Sequence, residues 1–278
     1  MSSSRLKNLV IAALIMLNLL FLAVIAINAA AQINSKRKAL EDVCAVLAGG
    51  GIGITPDVIS GNADLTTMRT VRSEATEAAI AFAVLGETVM TDQGVSQYES
   101  PGRGIATFYN AGDFEILLSG WTVPGGEGPL SVAAALLKDM GLETSQLAAT
   151  SVSGGEIITA ANAYKGARVF NCVIWFTFNG GELTSVAGRY ITGVEPAEDS
   201  AAMYGVSTAL LGFLEAVRNE NREDVHCSRI LRVEAGYQHR VVGSFGESII
   251  APAWLISTNA GDYVIDDKTG EIRTVNPT

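Results

Sequence analysis

Asn179-Gly180-Gly181-Glu182-Leu183 is the middle one of three related strings in this chain. Asn110-Ala111-Gly112-Asp113-Phe114 begins 69 residues before it, and Asn259-Ala260-Gly261-Asp262-Tyr263 begins 80 residues after it. A strand-like run lies on both sides of each copy. Asn and Gly tolerate positive φ, so each string predicts the tight turn of a β-hairpin. Each also lies downstream of a helix-like segment. The pattern predicts one supersecondary unit, a helix followed by antiparallel strands, used three times. The competing reading is chance recurrence of a common turn.

Working outward from the turns gives the expected elements. In the first unit, Met68, Val71, Ala75, Ala78 and Phe82 form a helical stripe that ends at Gly86. Strands are expected at 89–91, 96–98, 105–109 and 114–118. The glycine- and proline-rich segment 123–129 reads as the main boundary. The second unit opens with a helix over 131–140, stopped by Gly141. Strands follow near 149–152, 156–164, 169–178 and 183–191. The run 169–178 is apolar on both faces and belongs in the middle of a sheet. In the third unit Asp199 or Ser200 caps a helix that buries Met203, Val206, Leu210, Phe213 and Val217. Strands follow near 227–234, 239–242, 253–257, 263–266 and 272–275. The fold class is therefore α+β, with helices packed on antiparallel sheets.

The N-terminus is different in kind. Residues 9–31 hold 23 residues without a charge. At 1.5 Å per residue they span roughly 34 Å, against about 30 Å of hydrocarbon. A signal peptide cleaved after Ala29-Ala30-Ala31 is the rival, but its apolar region is usually only about 7–15 residues. We expect a retained anchor that crosses the membrane once. Asn18 lies near its middle, where an amide is costly unless another helix satisfies it. Leu14, Leu22 and Ile25 share its face, so Asn18, Leu14, Leu22 and Ile25 are the expected contact with a partner helix. Beyond the span, Ser35 is expected to cap a second helix to about Leu47, with Leu40, Val43 and Leu47 on one face and Gly49-Gly50-Gly51 as its stop.

The expected organisation is an N-terminal tail at 1–8, an anchor at 9–31, a first α+β domain at 32–125 and a second at 126–278. The second divides into units 126–196 and 197–278.

Charge is unevenly placed. Residues 1–40 hold five basic residues and no acid, which leaves 14 basic against 29 acidic residues in the body. A body of net charge −15 repels nucleic acid. The cysteines are Cys44, Cys172 and Cys227, an odd count with no CxxC, so neither a zinc site nor a disulfide framework is expected. A Cys172–Cys227 bond would need neighbouring strands.

Catalytic patterns are weak. His226 and His239 are the only histidines, and the His226-Cys227 pair lacks the ligand count of a metal site. Residues 266–271 only faintly resemble a calcium loop, because Lys268 holds the third position and Gly270 the fifth. They read as a tight turn. The acidic pairs Glu41-Asp42 and Glu223-Asp224 read as solvated charges. Neither an enzyme nor a cofactor is indicated.

The C-terminal part is more specific. Gly236-Tyr237 is followed by Pro252-Ala253-Trp254-Leu255-Ile256, then Tyr263-Val264-Ile265-Asp266, then Thr269-Gly270-Glu271. This resembles the YycI-type regulatory proteins of Firmicutes, within the YycH/YycI group. Asp267 stands where Ala is usual. Arg5, Lys7 and Asn8 leading into an apolar span with Asn18 also fit. Pro-x-Trp and Thr-Gly-Glu occur in PepSY-type modules too. The resemblance marks Gly236, Tyr237, Pro252, Trp254, Thr269, Gly270 and Glu271 as structural signature residues. It implies a cytoplasmic N-terminus and an extracytoplasmic body. It further implies association with a YycH-type companion and with the sensor histidine kinase of a cell-wall two-component system, which the protein modulates through transmembrane contacts. A PepSY-like binding module, or a protein that restrains a protease, is the alternative; a cell-wall hydrolase is a third reading.

Overall fold

The computed structural model describes residues 3–60, 64–92, 95–122, 128–191, 193–197, 203–219, 227–242, 247–266 and 268–275. Helix α1 (Ser3–Gly49) is a single uninterrupted helix of 47 residues. No separate helix starts at Ser35. Between Ala31 and Gly49 the sequence has neither glycine nor proline and holds several good helix formers among its Ala, Leu, Lys and Arg residues, so nothing breaks the ladder. The glycine stop does operate. The Gly50 N–H donates to the Val46 carbonyl and the Ile52 N–H to the Leu47 carbonyl, both at 3.0 Å, with Gly51 at φ +84°. The helix is long and apolar enough to cross a membrane. Its last turns behave differently: Leu40 is half-buried, and Val43 and Leu47 are buried in the core of the body.

Two short strands follow, β1 (Ile59–Ser60) and β2 (Met68–Thr70). Helix α2 (Glu74–Leu85) then leads into β3 (Val89–Asp92), β4 (Ser96–Ser100), β5 (Gly104–Phe108) and β6 (Asp113–Thr122), each antiparallel to the one before. Helix α3 (Pro129–Asp139) leads in the same way into β7 (Thr144–Val152), β8 (Gly155–Tyr164), β9 (Ala167–Asn179) and β10 (Glu182–Arg189). After β11 (Val194–Pro196), helix α4 (Val206–Arg218) leads into β12 (Ile230–Val241), β13 (Ser248–Thr258), β14 (Asp262–Asp266) and β15 (Ile272–Val275), again in antiparallel succession. The mixed α+β class is as expected, with a large sheet and four helices.

Strands β6 and β10 pair antiparallel, which orders the eight strands β3 to β10 as β7-β8-β9-β10-β6-β5-β4-β3. Strand β9 lies inside this sheet, as its two-sided apolarity requires. In the other sheet β1 joins β12 in parallel, and β2 bridges β13 and β11. The two sheets meet at one parallel pair, Tyr237 with Val169. Asn171 prolongs that junction with its side chain. Its Nδ2 donates to the His239 carbonyl at 2.7 Å, and its Oδ1 accepts from the His239 N–H at 2.8 Å. Gly236 sits beside it because a Cβ there would stand 2.5 Å from the Arg168 carbonyl oxygen and the Phe170 ring. The gap between the expected strands 227–234 and 239–242 is thus spanned by one continuous strand, with Gly236 at a close approach of backbones.

All three Asn-x-Gly strings are hairpin turns. Gly180 and Gly181 both adopt left-handed φ, 58° and 86°, as a two-residue type I′ turn demands. At the first turn the left-handed pair is Ala111 and Gly112.

One hydrophobic core gathers residues from Ile80 to Tyr190, including Phe108, Phe114, Leu137, Phe176 and Val186. Helices α2 and α3 both contribute to it, so residues on either side of 125/126 share this core. A second core gathers Val43, Leu47 and Ile52 with Phe213, Trp254 and Tyr263. Of the expected boundary at 123–129, residues 123–127 lie outside the described residues, and Gly128 and Pro129 cap and start α3.

Two helical stripes need correction. Met68 lies in β2, and α2 starts after Ser73, whose Oγ accepts from the Thr76 N–H at 3.3 Å. The buried face is Glu77, Ile80, Ala81, Val84 and Leu85, while Phe82 is 62% exposed. Helix α4 starts at Val206 with Gly205 as its cap, and Met203 is buried ahead of it. Asp199 and Ser200 lie outside the described residues.

Candidate functional site

Three places in the fold carry chemistry. The first is the exposed apolar face of α1, where the sequence predicts a contact with a partner helix. Asn18, Leu14, Leu22 and Ile25 are all exposed there. The Asn18 Nδ2 donates back to the Leu14 carbonyl at 2.9 Å, one turn earlier. The helix itself therefore satisfies part of the amide, and its Oδ1 is left to accept from outside.

The second is a cleft of about 270 Å³ between α4 and the β14–β15 turn. Trp254, Ile265 and Ala209 are buried side chains at its floor. Gly212 leaves the helix wall open, and Lys268 and Thr269 stand at the mouth. The polar atoms of the floor are already engaged. The Trp254 Nε1 donates to the Tyr204 carbonyl at 3.2 Å. Asp266 pairs with Arg240, and its Oδ1 accepts from the backbone N–H groups of Lys268 and Thr269 at 2.8 and 2.7 Å. Gly270, at φ +67°, closes the turn with an N–H bond to the Asp266 carbonyl. Asp266 and residues 268–271 therefore belong to a tight turn organised by that aspartate. The cleft suits a small apolar group with polar contacts at its rim.

Six of the seven signature residues divide between two places. Trp254, Thr269 and Gly270 line the cleft. Gly236, Tyr237 and Pro252 lie where β12 meets β9, with Tyr237 opposite Pro252. Glu271 is exposed and accepts from Arg273 at 2.9 and 3.0 Å.

The third place is a buried polar junction that no sequence pattern announced. Glu77 of α2 is fully buried. The Arg72 Nε and Nη2 donate to its two oxygens at 2.5 and 3.1 Å, and the Tyr190 hydroxyl donates at 3.2 Å. Burial, and then the neighbouring Glu77 carboxylate, raise the Tyr190 pKa, so the hydroxyl stays a donor. Arg189 grips Asp113 through two bonds of 2.7 and 2.8 Å. His239 is 4% exposed, and Arg72, Tyr190 and His239 line one small cleft of about 30 Å³. The only outward signal for Glu77 was its place in the first turn of a helix, which reads equally well as a solvated charge.

Burial, with Arg189 adding to it and Asp113 opposing it, pushes the His239 pKa down to about 4. In the unfolded chain it returns to about 6.5. Between these values the unfolded chain binds a proton that the folded chain does not. His239 therefore contributes stability above pH 6.5 that is lost as pH falls toward 4. In urea unfolding measured across that window, His239→Gln should show a shallower loss of stability than the parent. Equal slopes would show that the imidazole does not titrate in this way.

Cys172 is buried, and burial pushes its thiol up to about 12. Cys44, Cys172 and Cys227 are free thiols, so the Cys172–Cys227 bond is not formed. Among the described residues no group of three His, Cys, Asp or Glu side chains could hold a metal ion. His226, Glu223 and Asp224 lie outside the described residues.

No family model matches the chain, and no curated protein matches it. Among solved structures, an uncharacterized protein from Eubacterium rectale ATCC 33656 is similar with a TM-score of 0.48 and 9% identity. The match covers 81% of this chain and 93% of that one. Similarity at this level bears on neither function nor site.

Proposed function

We propose that this chain is a membrane-anchored extracytoplasmic regulator of the sensor histidine kinase of a cell-wall two-component system, acting with a YycH-type companion. Its N-terminus lies in the cytoplasm and its body outside. The architecture is read in the same proposal as one helix-plus-four-strand unit used three times, PepSY-like at 126–196 and 197–278. The observation that carries the proposal is the continuity of α1. The same helix that bears Asn18 ends in Val43 and Leu47, packed in one core with Phe213 and Leu214 of α4. A partner that shifts the anchor thereby shifts a helix of the body, with no hinge between. The resemblance at the C-terminus supplies the class of partner.

The test is co-purification of the full-length chain with the kinase from membranes of the native host. An interhelical hydrogen bond in lipid is worth about 0.6–2 kcal/mol. Because Asn18 already donates within its own helix, the low end applies, which is about a threefold change in association. Asn18→Leu should reduce co-purification by about that factor while export stays normal. Unchanged co-purification and regulation would make Asn18 a passenger. The apolar cleft beneath α4 favours a second reading, a PepSY-like binding module or a protein that restrains a protease. Capture of the same partner by the body without its anchor, at undiminished yield, would favour that reading.

A further inference from the structure

A sheet edge presents unpaired N–H and C=O groups and pairs with any strand that reaches it, so edges in soluble bodies are normally blunted. Among the described residues, four of the five edges are. Strand β1 has two residues. Strand β11 has three, among them Glu195 and Pro196. Strand β3 has four. Strand β15 has four and carries Arg273. Strand β7 is the exception. It has nine residues, Thr144-Ser145-Gln146-Leu147-Ala148-Ala149-Thr150-Ser151-Val152, with no charge, no proline and no glycine. Among the described residues it pairs with β8 alone, and only Thr144 and Leu147 are even partly buried.

We propose that the free edge of β7 pairs antiparallel with β7 of a second copy of this chain, which joins two eight-stranded sheets into one. Three observations select a second copy as the occupant. The strand is close to self-complementary about Ala148. Folding it on that residue sets Leu147 against Ala149, Gln146 against Thr150, Ser145 against Ser151 and Thr144 against Val152. Every facing pair is uncharged and sterically modest, so none is penalised. The body carries a net −15, and an uncharged edge is where two such bodies approach with least repulsion. Antiparallel pairing of one strand with itself is also a two-fold contact, which closes at a dimer and does not propagate.

Nine residues a side fall short of the 20–30 that a stable interface in solution usually engages. The pairing is therefore weak between free bodies, and confinement by the anchor raises the effective concentration that drives it. In that respect it rests on the anchored reading above.

The test uses the full-length chain in native-host membranes, with Cys44 and Cys227 replaced by serine and a short thiol-to-thiol cross-linker. Directly opposed Cα atoms in an antiparallel pair stand about 4.5–5.5 Å apart. Ala148→Cys places the two thiols at the axis and should give at least tenfold more cross-linked dimer than Thr144→Cys. In the latter the two copies' thiols lie roughly 27 Å apart, at about 3.4 Å per residue. Adding Ala149→Lys to the Ala148→Cys chain should abolish the dimer, because lysine blunts an edge. Dimer no greater at Ala148 than at Thr144 overturns the proposal. So does a cross-linked product that contains a different protein, which would assign the edge to a foreign strand. Recovery of the chain in the soluble fraction refutes the anchor alone. The ratio between the same two cysteine variants, measured there at raised concentration, then decides the pairing.

Discussion

Replacing Trp254 by alanine should lower the stability of the body by about 3–5 kcal/mol, the usual cost of deleting a large buried aromatic. Trp254 is 2% exposed and belongs to the core that joins α4, the end of α1 and the β12–β15 strands. Its loss removes apolar contact in that core and leaves the Tyr204 carbonyl without its indole donor. The cleft already beside it would widen into a larger void, which the rigid strand β13 cannot collapse to fill. The check is the urea midpoint of a chain beginning near residue 33, so that Val43 and Leu47 are retained. An unmoved midpoint would make Trp254 a residue kept for binding and not for packing. Trp254→Phe retains most of the buried area and should recover much of the loss.

The second large effect is expected at Arg72. Breaking a buried ion pair by removing one partner usually costs about 3–5 kcal/mol, because the remaining charge is stranded. Glu77 is the buried member, and Arg72 is its only basic partner among the described residues. The arginine side chain is 38% exposed, so water reaches part of the site after its removal. We therefore expect the low end, about 3 kcal/mol, for Arg72→Met. The Tyr190 hydroxyl would remain as a single donor to the carboxylate. Glu77→Gln in the same chain should restore part of the loss, since a neutral amide is less costly to bury than an unpaired carboxylate. A double-mutant cycle on urea midpoints measures the coupling. Additive losses would show that the two side chains act independently.

The turns and strands were the most legible parts of this sequence, because their signals are local. An Asn-x-Gly string between two apolar runs dictates a hairpin whatever surrounds it, and the three here are hairpins. Helix faces were less legible. The stripe read through Met68, Val71 and Phe82 was plausible by spacing alone. It failed because Ser73 starts the helix later, and because a glutamate occupies the buried face. A carboxylate in a core has no signature in sequence, since its partners Arg72 and Tyr190 lie 5 and 113 residues away. The same holds for His239. It reads as an ordinary residue, yet it is buried, and Asn171, 68 residues earlier in the chain, clamps its backbone to a neighbouring strand. Of the signature residues, Trp254 was legible as core from its apolar strand. The cleft beside it required α4 to lie across that strand with a glycine at the contact.

The unbroken α1 also fixes a bearing. Asn18 and Val43 are 25 residues apart in one helix, and Asn18 and Leu47 are 29 apart. At about 100° per residue these separations fall about 20° short of seven whole turns and about 20° past eight. The Asn18 amide and the two residues docked in the body thus share nearly one meridian of the helix. A helix that grips α1 at Asn18 would lie on the side of α1 that packs against α4 at its other end. Compass direction at one end of α1 is set from the other by a count of residues.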